Sequence, residues 1–349
     1  MIDIDTAWSD FCNGEYDIST NVNEINNSQV IPKCSSLYIS TKTKISYLSH
    51  KVLLNDVFWK IPIISYYEPK EGIIKKQMKI NSNSEDEFNL LLNNLEAERN
   101  KNYYIDEHII TRIVNEKGRI KYKDVRKISV GLYKKDIISF KCKKKGAFYN
   151  CFVVIIRIKH ENSFKELHVK IFNTGKLEIP GIKDDELLYK ALNVLIKCLS
   201  PYISEDLTYY KNKTETVLIN SNFNCGYFIN REKLFNIIKT KYNINSSYDA
   251  CSYPGIQCQF YYNKNLSSQN GKKTDDNDVK VSFMIFRTGS VLIVGKCSEN
   301  ILNDIYIFVK NMLEEEYKNI YITNVSGLSD DNEGNKEKKN RKKTITIST

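Results

Sequence analysis

IFNTGKLEIPGIKDDELLYKALNVLIKCL (Ile171–Leu199) lies over IFRTGSVLIVGKCSENILNDIYIFVKNML (Ile285–Leu313) at a constant offset of 114 residues, without a gap. Phe172 meets Phe286, Thr174 meets Thr288, Gly175 meets Gly289 and Gly181 meets Gly295. Leu187, Leu188, Ala191, Leu195 and Leu199 meet Ile301, Leu302, Ile305, Val309 and Leu313. An internal repeat of this length indicates duplication of one structural unit. Each copy reads as strand, Thr-Gly turn, strand and helix, because Gly supplies the positive φ that a tight hairpin needs. After the turn, Leu177 and Ile179, like Val291 and Ile293, alternate onto one face. Asp184 and Ser298 are the predicted helix caps, and the apolar stripe behind them has helical spacing.

Upstream, Val217, Ile219, Ser221, Phe223 and Cys225 alternate with Leu218, Asn220, Asn222 and Asn224, and a helix is expected from Asn230 through Leu234 and Ile238. In the first copy Leu37, Ile39, Thr41, Thr43 and Ile45 alternate with Tyr38, Ser40, Lys42 and Lys44. A helix is expected over Ser49–Lys60, ending before Pro62. Antiparallel strands with helices on one face predict an α+β architecture. The expected organisation is an acidic arm (1–32), a first repeat (33–200), a linker (201–213), a second repeat (214–325) and a charged tail (326–349). Residues 82–130 have no counterpart in the second repeat. They open with Ser84-x-x-Glu87, a capping box, and read as an inserted subdomain.

The duplicated strand–helix–strands–helix pattern with its Phe-x-Thr-Gly hairpin resembles the TATA-box-binding protein family. It is similar in particular to the diverged TATA-box-binding-protein-like factors of large nucleocytoplasmic DNA viruses. The similarity rests on Ile61–Ile80, Phe172–Gly181, Ile219–Ile238 and Tyr253–Asn263, and extends over about 33–80, 140–200 and 214–322. It implies a saddle, with a curved antiparallel sheet whose concave face binds and bends the DNA minor groove through apolar wedges, and helices on the convex face. Phe172 and Phe286 match the hairpin-side wedge positions. Tyr253 matches the partner wedge in the second repeat, and Phe148 is the candidate in the first.

If Phe286 faces the groove, strand parity adds Met284, Leu292 and Val294, an apolar floor. It also adds Asn220, Asn222 and Asn224, whose amides can donate to the minor-groove acceptors of A·T pairs. In the first repeat the same parity delivers Lys170, Glu178 and Pro180, with Ser40, Lys42 and Lys44. Glu178 stands where the family has an apolar residue, and a carboxylate facing phosphates needs neutralising by Lys170 or Lys42. Lys170, Lys176 and Arg287 complete the expected DNA contacts. The resemblance further implies AT-rich promoter DNA as partner, a monomer on DNA, and recruitment of a general-factor-B-like protein and RNA polymerase. Work in the host cytoplasm or nucleus, or packaging in a virion, follows from the viral likeness.

Charge agrees with a polyanionic partner. The chain of 349 residues carries 52 Lys+Arg against 42 Asp+Glu, a net +10. The first 32 residues hold Asp3, Asp5, Asp10, Glu15, Asp17 and Glu24 and no base, so the remainder is more basic than that figure. A lysine-rich solvated surface gives the same composition. The run Lys338-Lys339-Asn340-Arg341-Lys342-Lys343 reads either as an import or phosphate-binding patch or as a solubilising tail.

No apolar run reaches about 18 residues, and the first thirty lack the pattern of a secretory signal. Nine cysteines without a C-x-x-C pair predict reduced thiols. His50, His108, His160 and His168 fall in separate segments, and no hydrolase, P-loop or zinc motif occurs. Asp184-Asp185-Glu186 is explained as a helix start. The chain is expected to be no enzyme and to need no cofactor. The competing reading is a saddle used as a protein-interaction scaffold with little DNA binding.

Overall fold

The computed structural model describes residues 31–115, 117–138 and 149–322. The acidic arm up to residue 30, the tail and Phe148 lie outside the described residues. The chain divides into two compact units: Thr41–Leu218 forms the first, and residues 31–40 with 219–322 form the second.

The first unit contains most of β1 (Tyr38–Tyr47), from Thr41 on, with α1 (Leu54–Lys60), β2 (Gly72–Ser82), α2 (Glu85–Asn100), β3 (Ile105–Val114), β4 (Tyr122–Gly131), β5 (Cys151–His160), β6 (Ser163–Phe172), β7 (Lys176–Ile182) and α3 (Asp185–Ile203). Its antiparallel sheet has the order β1-β7-β6-β5-β2-β4-β3. The second contains β8 (Glu215–Asn224), β9 (Phe228–Ile229), α4 (Arg231–Thr240), β10 (Asn245–Asp249), β11 (Tyr253–Tyr262), β12 (Val279–Phe286), β13 (Ser290–Gly295), α5 (Glu299–Glu315) and β14 (Tyr321–Ile322). Its order is β8-β13-β12-β11-β10, with β9 and β14 as a separate ribbon. Strands β1-β7-β6-β5-β2 therefore repeat as β8-β13-β12-β11-β10, and each unit is α+β.

The helical stripes are buried as their spacing predicts: Leu187, Leu188, Ala191, Leu195 and Leu199 on α3, and Ile301, Leu302, Ile305, Val309 and Leu313 on α5. They cover Leu177 and Ile179 in one unit and Val291 and Ile293 in the other. Asp184 accepts from Leu187 N at 2.8 Å and Ser298 from Ile301 N at 3.4 Å, capping the two helices.

Three expectations are corrected. Residues 33–40 go with the second unit, because Ser35 N donates to Asn224 O at 2.8 Å, Tyr306 donates to Ser35 O at 2.9 Å, and Leu37 and Ile39 pack on that core. Residues 201–213 are no free linker. Leu207 is buried, Ser49 N donates to Thr208 O, and Tyr210 N donates to Tyr47 O. The helix expected over Ser49–Lys60 begins only at Leu54, because the preceding loop spends its backbone elsewhere, with Val52 N bound to Asn173 O at 3.0 Å.

The insertion is not a separate subdomain. Its strand β4 pairs with β2 from Lys75 opposite Gly131 to Ser82 opposite Asp124, and β3 pairs with β4, so both continue the first sheet. Helix α2, capped by Ser84 as expected, lies over them. Beneath it Lys76 is fully buried against the helix's own buried Glu98, with Lys76 Nζ 2.8 Å from Ile61 O and 3.4 Å from Glu98 Oε1.

Burial lowers the Lys76 ammonium from its ordinary 10.5 to about 8, against the raising effect of Glu98. Unfolded, this lysine keeps its proton to the higher value. Between the two, the unfolded chain binds more protons, so its contribution makes stability rise with pH. Denaturant titrations of wild type and Lys76→Met across that window should diverge, the wild type gaining up to about 3 kcal/mol relative to the variant. Parallel stability curves would show that Lys76 stays protonated when folded.

Candidate nucleic-acid interface

The face of each sheet turned away from its helices is set by cross-strand register. In the second unit Met284 lies opposite both Gln257 and Leu292, and Leu292 opposite Asn222. The neighbouring row is Gln259, Ser282, Val294 and Asn220. Directly opposed residues share a face, about 5 Å apart at Cβ. Met284, Leu292 and Val294 thus form a contiguous, partly exposed apolar strip with asparagines along one side and glutamines along the other.

At the strip's end Phe286 stands opposite Gly255, and the Tyr253 and Phe286 rings meet at 5.9 Å with planes tilted 59°. Gly255 permits this approach: a Cβ there would lie 3.0 Å from Phe286 and 3.1 Å from Tyr253. This glycine was not among the residues expected at the site. Its signal was a glycine inside a strand two residues after an aromatic.

The three asparagines are not equivalent. Asn224 is committed to the hairpin loop, donating to Thr288 O and Ser290 Oγ and accepting from Gly226 N at 2.7 Å. Asn222 has no side-chain hydrogen bond among the described residues and sits beside Leu292. Arg287 is exposed in the turn, where its carbonyl holds Ile229 N at 2.8 Å.

The first unit has the same frame and different chemistry. The row matching Gln257–Met284–Leu292–Asn222 is Val153–Lys170–Glu178–Ile45. Lys170 Nζ lies 2.6 Å from Glu178 Oε1, an ion pair that answers the exposed-carboxylate problem. Phe172 lies opposite Cys151 on the face of Lys170, with Lys176 Nζ 5.7 Å from its ring centroid. Pro180 is partly exposed on the same strand. Further along, Ile155 is buried under Tyr66, with Tyr133 packed alongside and against His168 at 5.3 Å, so part of this face is roofed.

Two first-unit assignments change. Lys42 and Lys44 pair opposite Ile182 and Ile179, and Lys44 reaches Asp185 at the start of α3 at 2.8 Å, so both belong to the helix side. Ile45 pairs with Glu178 and so lies on the open face, where it is nonetheless buried. β7 carries an extra residue at Gly181, φ +83°, so that Lys42 pairs with Ile182 while Lys44 pairs with Ile179, both on the helix side. The second change concerns the aromatic partner of Phe172. Because Cys151 holds the place of Gly255, the residue corresponding to Tyr253 is Tyr149 rather than Phe148. Tyr149 is 59% exposed, and Lys79 Nζ sits 3.5 Å from its ring centroid.

Among the described residues no group of His, Cys, Asp and Glu is placed to hold a metal ion, and no helix is long and apolar enough to cross a membrane.

A protein of Acanthamoeba polyphaga mimivirus described as TATA-box-binding protein-like is 26% identical over 201 residues, covering 53% of this chain and 54% of that protein. The chain thus spans about half the length of the curated relative it matches. Among solved structures, the Methanococcus jannaschii TBP aligns with a TM-score of 0.41 and 13% identity, covering 80% of this chain and 99% of that one. No family model matches the chain.

Gly255→Ala tests the aromatic pair. The backbone there needs no positive φ, so the cost is confined to the crowded rings. The variant should lose about 1 kcal/mol, the range of one aromatic contact. The mutual ring-current shifts of Tyr253 and Phe286 should weaken in its NMR spectrum. Unchanged shifts would mean that the rings meet without help from the glycine.

Proposed function

We propose, with a TATA-box-binding-protein-like chain as the premise, that this is a transcription initiation factor whose second repeat binds the minor groove of AT-rich promoter DNA and bends it. The observation that carries the reading is the strip of Met284, Leu292 and Val294 ending in the Tyr253–Phe286 pair over Gly255. A minor groove offers a shallow floor with only acceptors at A·T pairs, which suits apolar side chains flanked by amide donors such as Asn222. Rings that enter a base step unstack it at a few kcal/mol, offset by contacts that the bend permits.

The first repeat contributes differently. Lys170–Glu178 replaces the apolar floor, and lysines stand over both Phe172 and Tyr149, so its contacts are with the phosphate backbone more than with the groove floor. Recruitment of a general-factor-B-like protein and an RNA polymerase through the helix side, in a viral replication site of the host cytoplasm or in the nucleus, belongs to the same proposal.

Binding to AT-rich and GC-rich duplexes at two salt concentrations tests this reading. AT preference with strong salt dependence is expected; absence of binding at low salt would favour a protein-interaction scaffold. Phe286→Ala should reduce the bend, measured by fluorescence transfer between labelled duplex ends, more than it lowers the thermal midpoint. An unaltered bend in the folded variant would remove Phe286 from the interface. Glu178→Val should release Lys170 for phosphate, tightening binding and steepening the salt dependence by about one ion. Weaker binding instead would mean that Glu178 aims Lys170.

A further inference from the structure

We propose that the insertion builds a second DNA contact on the open face of the first unit, in which Lys79, Lys123 and Lys127, with His108 and Tyr149, hold the phosphate backbone of duplex DNA beside the repeat's own interface. The proposal rests on the DNA-binding reading above and adds to Lys79 and Tyr149 of the repeat the side chains of β3 and β4, strands that the second repeat lacks.

The register places these groups together. Lys79 is directly opposite Lys127, and Lys127 directly opposite His108, so the three form one row across β2, β4 and β3. Gln77, two residues before Lys79, pairs with Val153, and Val153 with Lys170, which identifies the face as that of Lys170 and Glu178. Met78 pairs with Phe152, so the next residue, Lys79, falls in line with Cys151 and therefore with Phe172. The row runs from Phe172 to His108 over five adjacent strands, about 19 Å at the usual strand spacing. With one phosphate per 3.4 Å of axis on each strand, that length reaches several phosphates.

Charge is sorted between the two faces of the insertion. On the helix side Arg126 binds Asp124 at 2.8 Å and Glu107 at 3.2 Å, and Arg99 also binds Glu107. Glu107 of β3 and Asp124 of β4 are thereby neutralised on the helix side. On the open face the lysines stand with Asp106, opposite Ser129 at the outer strand, as the neighbouring carboxylate.

Tyr149 adds an exposed ring to the cluster. Lys123, four residues before Lys127 on β4, falls on the same face, and a hydrogen bond from Lys79 holds the Tyr149 phenol below its ordinary value. Lysines without a fixed fork suit phosphates better than base edges, so the row would position the duplex and extend the footprint without adding sequence preference.

The test is the salt dependence of duplex binding by the full chain, read by fluorescence anisotropy. Lys79→Gln/Lys123→Gln/Lys127→Gln should flatten the slope of log affinity against log salt by about 2 to 3. At low salt it should weaken binding at least about tenfold, by the same amount on AT-rich and GC-rich duplexes. Its thermal midpoint should stay close to that of the wild type, because all three side chains are partly exposed. A charge-matched control on the helix side, Lys60→Gln/Lys190→Gln/Lys197→Gln, should leave the slope nearly unchanged. Lys79→Arg/Lys123→Arg/Lys127→Arg should restore binding. Equal slopes for the triple glutamine variant and the control would overturn the proposal while leaving the promoter-binding reading intact. A wild-type chain that binds no duplex at low salt would overturn both.

Discussion

A glycine pressed against a carbonyl oxygen governs each half of this protein. Gly175 and Gly289 turn the hairpins at φ +83° and +77°, and a Cβ would lie 2.5 Å from His50 O in one and 2.3 Å from Tyr227 O in the other. The loop after the first strand of each repeat closes on that turn. Leu48 N binds Gly175 O and Val52 N binds Asn173 O; Cys225 N binds Gly289 O and Ile229 N binds Arg287 O. The turn therefore fixes the register of its own hairpin and also the approach of the first strand. Since a one-residue slip exchanges the faces of a strand, this contact decides that Phe172 and Phe286 point away from the helices.

One frame supports two chemistries. In the second unit the absence of a side chain at Gly255 lets two rings converge beside an apolar strip. In the first, Cys151 fills the corresponding place, and Phe172 and Tyr149 each have a lysine over the ring. Met284 and Leu292 become Lys170 and Glu178, which remain half-buried because they neutralise each other. Duplication supplied the geometry, and divergence left one half suited to an uncharged floor and the other to charged surroundings.

Much of this was legible in the sequence because it is periodic. The stripes on α3 and α5, their caps, the Thr-Gly turns and the alternation of β8 follow from spacing alone. The departures arise where a nonlocal contact overrides a pattern. Thr43 and Ile45 continue the apolar alternation of β1 and are buried, yet Lys44 and Ser46 are the residues that pair opposite Ile179 and Leu177 on the helix side. Tyr149 was hidden by the length of the preceding segment, which only the pairing of Cys151 with Phe172 resolves. The insertion read as a subdomain because strand content is visible in sequence and pairing partners are not.

The two sheets also end differently, which explains how an insertion could be accepted at this place. A free sheet edge invites pairing with other chains and must be blunted. In the second unit the last strand, β10, is five residues long, rich in Asn and Ser, and irregular in register near Asp249. In the first unit the equivalent edge of β2 is long and would be exposed along its whole ladder. Strands β4 and β3 occupy it, and β3 presents an outer edge broken by a bulge after Ile109 and studded with Asp106, Glu107, His108 and Arg112. Anchoring this extension required a polar group in the core, Lys76 beneath α2, and Glu98 with Ile61 O supplies its partners. Covering one edge thus enlarged the open face by two strands, and whatever those strands display there is free to diverge from the repeat.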